Sequence, residues 1–381
     1  MNQELALKIL SQIMGWDMDR ARREDAWLRL MSRIKYDGYQ DYLAGARFVE
    51  SLANWLQQFE GSEREAAYSF VRHHLVYLGP AEVQHLVELA YPETVQPRLL
   101  AAVADHLHVP RYRVWAQAAT VTAYDTMLRK TLFIGLSDGA RIDAFRRANV
   151  GIISNEQIVL AMQIDEDKWE DLLKNLRDDL GDQSAKFGYL YLLDDFIASG
   201  TTLLRNEEGK WKGKLIRFSK SCREQIETHL VEDYVVVVHH YIGSHKVSIE
   251  IEDRYKEAFK ELGPDGLFPR VEFTFGTVLP KDLPIDRVRF AEFMKLTDKY
   301  YDPSIVTKSI ALGGRDARLG FGEGALPLIL EHNTPNNSIA LLWAESEGKA
   351  GTPARDHSFG GGKGISKGLS GNGKSVPQTC D

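Results

Sequence analysis

Asp194 and Asp195 end an apolar run, Gly188-Tyr189-Leu190-Tyr191-Leu192-Leu193, and a loop of small and hydroxyl residues follows, Ala198-Ser199-Gly200-Thr201-Thr202. The run reads as a buried strand that delivers two carboxylates to its C-terminal end, where open α/β sheets bind ligands. Ionised carboxylates only accept hydrogen bonds, which suits them to the neighbouring hydroxyls of a ribose. Beside an anomeric carbon they also favour the positive charge that develops when a C–O bond breaks through an oxocarbenium-like state. Gly200 lets backbone approach a ligand, and Ser199, Thr201 and Thr202 add hydroxyl donors. Consecutive amides in such a loop form an anion cradle, and the helix expected to start near residue 200 would add its dipole. No lysine follows the glycine, so this is not a G-K-[ST] triphosphate loop, and a terminal phosphate monoester suits it better. The competing reading is a strand end, an Asx-type turn and a helix cap with both acids solvated. The Ser-Gly-x-Thr spacing favours a ligand loop.

An apolar run, Asp-Asp, three residues and then Ser/Thr-Gly-x-Thr resembles the 5-phosphoribosyl-1-pyrophosphate (PRPP) site of type I phosphoribosyltransferases. The resemblance implies that Asp194 and Asp195 bind ribose hydroxyls and that residues 198–202 bind the 5-phosphate. It also implies Mg²⁺, held through diphosphate and ribose oxygens of the substrate with no direct protein ligand. That family carries a pyrophosphate loop after an earlier strand, and Leu132-Phe133-Ile134-Gly135-Leu136-Ser137-Asp138-Gly139-Ala140-Arg141 falls at that place. Gly139 would bring backbone to the diphosphate, with Ser137 and Arg141 as donors, Arg141 able to pair bidentately. Asp138 departs from the pattern, since an acid beside a diphosphate must face Mg²⁺ or cap the next helix. A plain helix N-cap at Ser137 or Asp138 is the alternative.

The long helical N-terminus and the segment ILEHNTPNNSIALLW resemble the PRTase-CE type of phosphoribosyltransferase-like protein, found in bacterial conflict and defence loci. On that resemblance His332, Asn333 and Asn336 become candidates for base or ribose contacts, with Asn337 beside them. Turn chemistry of Thr-Pro-Asn-Asn is the alternative. The function expected is transfer or hydrolysis at the anomeric carbon of PRPP or a related ribose 5-phosphate nucleotide, as an effector of anti-phage defence. A non-catalytic PRPP- or nucleotide-sensing module is the other reading. Glu156, Asp138 and His332 are candidates for a general base. The partners expected are a small sugar phosphate or nucleotide and a partner protein of a defence system.

These residues need elements to hold them. Up to about residue 128 the apolar spacing is helical, Tyr42, Phe48, Leu52, Trp55, Leu56 and Phe59 lining one face, and a helical domain over 1–128 is predicted. From Thr131 short apolar or β-branched runs alternate with amphipathic helices. That pattern predicts an α/β domain over 129–343 with an open, mostly parallel sheet of the type I phosphoribosyltransferase kind. TLFIG, GYLYLLDD, EDYVVVVHHYI, VEFTFGTVL, LPLILEH and SIALLW read as strands. IVLAMQI (158–164) and IEIEDRYKEAFKEL stay open between strand and helix. Residues 344–381, dense in Gly, Ser and Lys, read as a flexible tail.

Composition limits the remaining classes. A formal net charge of −7 over 381 residues argues against direct nucleic-acid binding as the main activity. Cys222 and Cys380 are the two cysteines, too few for a disulfide framework or a cysteine zinc site. The N-terminus lacks the pattern of a signal peptide, and no apolar run approaches the roughly 20 residues of a membrane span. A cytoplasmic protein without membrane contact is expected.

Overall fold

Amphipathic spacing in the first third of the chain becomes helix. The computed structural model describes residues 3–38, 48–161 and 164–344. It opens with α1 (Gln3–Met14), α2 (Met18–Ile34), α3 (Phe48–Gln57), α4 (Arg64–His74) and a short strand β1 (Val76–Leu78). Helices α5 (Pro80–Leu89), α6 (Gln96–Leu107) and α7 (Ala118–Arg129) follow, and α7 leads directly into β2 (Thr131–Gly135). Next come α8 (Ile142–Ala148), β3 (Ile158–Leu160), α9 (Glu166–Leu180) and β4 (Phe187–Ile197). A small hairpin, β5 (Arg205–Glu207) and β6 (Lys210–Lys212), precedes α10 (Lys214–Ser221) and α11 (Arg223–His229). Strand β7 (Leu230–Gly243), α12 (His245–Gly266) and β8 (Val271–Val278) complete the sheet, and α13 (Ala291–Lys299), β9 (Leu328–Leu330) and α14 (Ala340–Trp343) end the described chain.

The chain forms two compact units that do not follow the expected boundary at 128/129. One comprises residues 1–79 with 284–381, the other residues 80–283. The first is tied together by the parallel pairing of β1 with β9. Its core joins Leu52, Trp55 and Phe70 to Phe293, Ile329 and Leu342, and the Trp55 indole N–H donates to the Leu341 carbonyl at 2.9 Å. The second unit contains α5 to α7 because a parallel sheet needs both faces covered. Arg98 of α6 shows why: its guanidinium lies over the Tyr189 ring of β4 and pairs with Glu272 of β8. Tyr42 and residues 345–381 lie outside the described residues.

Five parallel strands form the sheet in the order β3-β2-β4-β7-β8. Leu190 and Leu192 of β4 face α9, where Trp169, Leu172 and Leu176 are buried, together with Val236 and Val238 of β7. Phe133 and Tyr191 occupy the opposite face, their rings 5.5 Å apart. Apolar side chains on both faces explain why these strands read as continuous hydrophobic runs rather than alternating ones.

Several local expectations change. Within the stretch read as helical, Val76–Leu78 forms strand β1, the undecided IEIEDRYKEAFKEL is helix α12, and IVLAMQI supplies the short strand β3. SIALLW is the helical turn α14 rather than a strand, since a short apolar run does not by itself distinguish a buried strand from a buried helix. Trp343 closes that turn by donating its indole N–H to the Ser338 carbonyl. Among the described residues no helix is long and apolar enough to cross a membrane.

Candidate active site at the sheet switch point

The strand order fixes where the chemistry can sit. From β2 the chain moves outward to β3, then crosses back past β2 to place β4 on its other side. At such a reversal, open α/β sheets bind ligands outside the C-terminal ends of the central strands. Those loops are residues 136–141 after β2 and 198–204 after β4, the two segments singled out from the sequence. Gly135 is in register with Leu193, and the Leu136 amide donates to the Leu193 carbonyl at 2.9 Å, so both loops leave the sheet at one level.

The two aspartates are not equivalent. They lie inside β4, which continues to Ile197, and adjacent strand residues point to opposite faces. Asp194 shares the face of Leu190 and Leu192 and is 3% exposed. Its Oδ1 accepts from the Ser137 hydroxyl, and its Oδ2 pairs with the Lys214 ammonium at 2.5 Å. His240, its register partner on β7, lies with Nε2 4.0 Å from Oδ2. Burial pushes the His240 pKa down to about 4, against the opposing pull of Asp194 and Asp195, so its imidazole is neutral at physiological pH. Asp195 is half-buried, accepts from the Phe196 amide at 2.7 Å, and lies against Gly139 of the other loop.

The loop after β4 is built differently from the anion cradle expected. No helix starts near residue 200. Residues 201–204 turn back, the hairpin of β5 and β6 intervenes, and α10 begins only at Lys214. The helix dipole therefore does not bear on this loop. What shapes it is Gly200 at φ 75°, whose carbonyl accepts from the amides of Leu203 and Leu204. The Ser199 and Thr201 hydroxyls are 2.9 Å apart. Among the described residues the amides of Ser199, Gly200 and Thr202 donate to no protein acceptor. The same holds for the amides of Ser137, Asp138 and Gly139 in the loop after β2. Two sets of loop amides are thus uncommitted to protein acceptors among the described residues.

Supports beneath the loop come from residues that sequence spacing did not single out. Arg254 of α12 donates to the Ser199 carbonyl at 2.8 Å and to the Leu204 carbonyl at 3.3 Å. Its charge is thereby spent on the loop backbone, which it braces. Ser244 accepts from the Val247 amide as the N-cap of α12 and donates to the Ala198 carbonyl at 2.6 Å. Tyr241, buried on β7, donates to the Ala140 carbonyl at 3.0 Å, and burial raises its pKa above the ordinary value. Lys214, His240, Tyr241, Ser244 and Arg254 lie 20 to 60 residues from the acidic pair, beyond the reach of a local motif.

The remaining expected site residues sit in local settings of their own. Arg141 holds a left-handed backbone, φ 50°, between the 3-10 turn at Asp138–Ala140 and α8, a strained position for a side chain with a Cβ. Asp138 is exposed at the start of that turn. Glu156 sits before β3, at the N-terminal end of the sheet and away from the acidic pair, where Arg129 is 3.9 Å from it. His332, Asn333 and Asn336 belong to the other unit. There the Asn336 carbonyl accepts from the Phe321 amide and Asn333 exchanges backbone hydrogen bonds with Leu330, so turn chemistry accounts for their local order. Among the described residues no three His, Cys, Asp or Glu side chains gather to hold a metal ion.

The strand ends therefore combine two loops whose amides lack protein acceptors with a half-buried carboxylate between them, a set whose chemistry suits a sugar carrying an anion at each end. No curated protein and no solved structure matches the chain. The PRTase-CE family model matches residues 52–353, most of the chain and the whole of the sheet. With an acidic pair and two glycine-bearing loops at the switch point of a parallel sheet, this is a phosphoribosyltransferase-like protein, and the chain belongs to the PRTase-CE family.

Proposed function

We propose that these strand-end loops bind PRPP or a related ribose 5-phosphate nucleotide together with Mg²⁺ and that the protein acts at its anomeric carbon. The observation that carries this reading is the meeting of the two loops around the acidic pair: Ser137 donates to Asp194 while Gly139 packs on Asp195. In this reading the amides and hydroxyls of residues 198–202 hold the 5-phosphate. The amides of 137–139 and Arg141 hold the diphosphate, and Asp195 accepts from the ribose diol. Asp194, buried beneath, sets the position of Ser137.

Catalysis would be chiefly positional. Clamping both anionic ends aligns the C–O bond for departure and excludes competing geometries. The carboxylate at the diol then stabilises charge developing on the ribose ring. The residues fit a cation that arrives with the substrate, because half-buried Asp195 lies beside the diphosphate loop and exposed Asp138 lies within it. Bound there, Mg²⁺ would supply electrostatic stabilisation of the departing pyrophosphate. The protein would act as an effector of anti-phage defence, a role that the family resemblance supports.

Labelled PRPP with pure protein and Mg²⁺ tests this. Release of pyrophosphate is expected. Tight binding without product would leave a sensor, and absence of binding by calorimetry would overturn the reading.

A further inference from the structure

The loop after β4 lacks the lysine that phosphate loops often place next to their glycine, yet the fold brings one to it. Lys214, the first residue of α10, donates its amide to the Thr202 carbonyl at 2.9 Å. Its ammonium turns the other way and pairs with Asp194 Oδ2, while Asp194 Oδ1 takes the Ser137 hydroxyl. One residue is thus bonded to the loop assigned to the 5-phosphate and, through one carboxylate, to the loop assigned to the diphosphate.

The detour through the hairpin makes this possible. Residues 205–212 leave and return, and Gly213 brings the chain back against Leu203 so tightly that a Cβ there would meet the Leu203 carbonyl oxygen at 2.2 Å. The Leu215 amide then donates to that carbonyl at 3.1 Å. Lys214 is therefore clamped by backbone contacts on both sides, and its side chain is four-fifths buried. A buried carboxylate costs free energy unless paired, so Asp194 depends on this ammonium to stay in place. Arg254 does not substitute, being committed to the carbonyls of Ser199 and Leu204. Nor does His240, whose imidazole is neutral and 4.0 Å distant.

We propose that Lys214 is a positioning residue that couples the two anion-binding loops, setting their separation for a ligand with an anion at each end. This rests on the ribose-phosphate reading of the site. A ligand with one anion needs one loop and is indifferent to the coupling, whereas a doubly anionic ligand needs both loops at a fixed distance.

The test is calorimetry with Mg²⁺, comparing PRPP and ribose 5-phosphate on wild type, Lys214→Met and Lys214→Arg. Lys214→Met is expected to weaken PRPP by about ten-fold or more while changing ribose 5-phosphate less than about three-fold. Lys214→Arg is expected to recover most of the PRPP affinity, because it keeps the charge. If Lys214→Met fails to fold, Lys214→Met with Asp194→Asn removes the stranded charge, and the same selective loss is expected. Equal losses for both ligands, or none, would overturn the coupling while leaving the site reading intact. Wild type that binds neither ligand would overturn both.

Discussion

Gly139 lies so close to Asp195 that a methyl group on its Cα would sit 2.5 Å from Oδ2. No Cβ is tolerated at that distance, and the contact joins the two strand-end loops at the point where the accessible acid emerges. Gly139→Ala should displace the Asp195 carboxylate rather than the backbone, since a side chain yields more readily. Sugar-phosphate affinity is expected to fall by about ten- to a hundred-fold, roughly 1.4 to 3 kcal/mol, with little change in thermal stability. Calorimetry beside a melting curve checks it; unchanged affinity would remove Asp195 from the ligand.

Gly213 has a different sensitivity. At φ 133° it holds a conformation that residues with a Cβ avoid, and an added methyl would collide with backbone, which cannot swing aside. Gly213→Ala should cost roughly 2 to 3 kcal/mol of stability. Urea unfolding measures it. A midpoint equal to wild type would show that the return of the hairpin is less constrained than described.

Thr201 sits in the cradle with its hydroxyl 2.9 Å from that of Ser199. Thr201→Glu places a negative charge where the 5-phosphate is proposed to bind, and like charges repel strongly at that range. Ligand-induced thermal stabilisation by ribose 5-phosphate should disappear. If it survives, the phosphate binds elsewhere.

His239 and His240 are both buried on β7, and burial lowers their pKa values from the ordinary 6.5 to about 3 and about 4. His239 holds Nδ1 2.9 Å from the Thr274 hydroxyl, whereas its Nε2 has no hydrogen-bond partner among the described residues. The unfolded chain takes up protons at these sites near pH 6.5 while the folded chain does not, so acid favours unfolding. Stability is full above that pH and is lost as the pH falls toward 4, by on the order of a few kcal/mol. Chemical denaturation at a series of pH values checks this. A flat profile between pH 6.5 and 4.5 would contradict it, and His239→Phe should shallow the slope.

Much of the sheet was legible before any coordinates. TLFIG, GYLYLLDD and EDYVVVVHHYI are strands β2, β4 and β7 because runs buried on both faces carry apolar residues without interruption, whereas VEFTFGTVL, the part-buried edge strand β8, was legible from its β-branched and aromatic residues. Helix α9 is one of the amphipathic helices expected between the strands, and its ends follow from local chemistry: Asp165 accepts from the Lys168 amide at its start and Gly181 at φ 61° ends it. The helix expected near residue 200 was not there, because Leu203-Leu204 packs as a turn and the polar hairpin after it carries no helical periodicity. Nor was the division into units at 79/80 and 283/284 readable. A helix that covers a sheet and one that packs on other helices bear the same apolar stripe.

By itself the sequence determined the acidic pair, the two glycine-bearing loops and the parallel strands that carry them, because each is a local pattern of residue types along a few consecutive positions. Only the tertiary structure decided that the loops meet and that Asp194 faces Lys214 while Asp195 faces Gly139. The physical reason is that strand order and the two-residue alternation of side chains determine which residues meet. Neither Lys214, twenty positions beyond Asp194, nor Arg254, sixty beyond, is tied to the acids by any local periodicity.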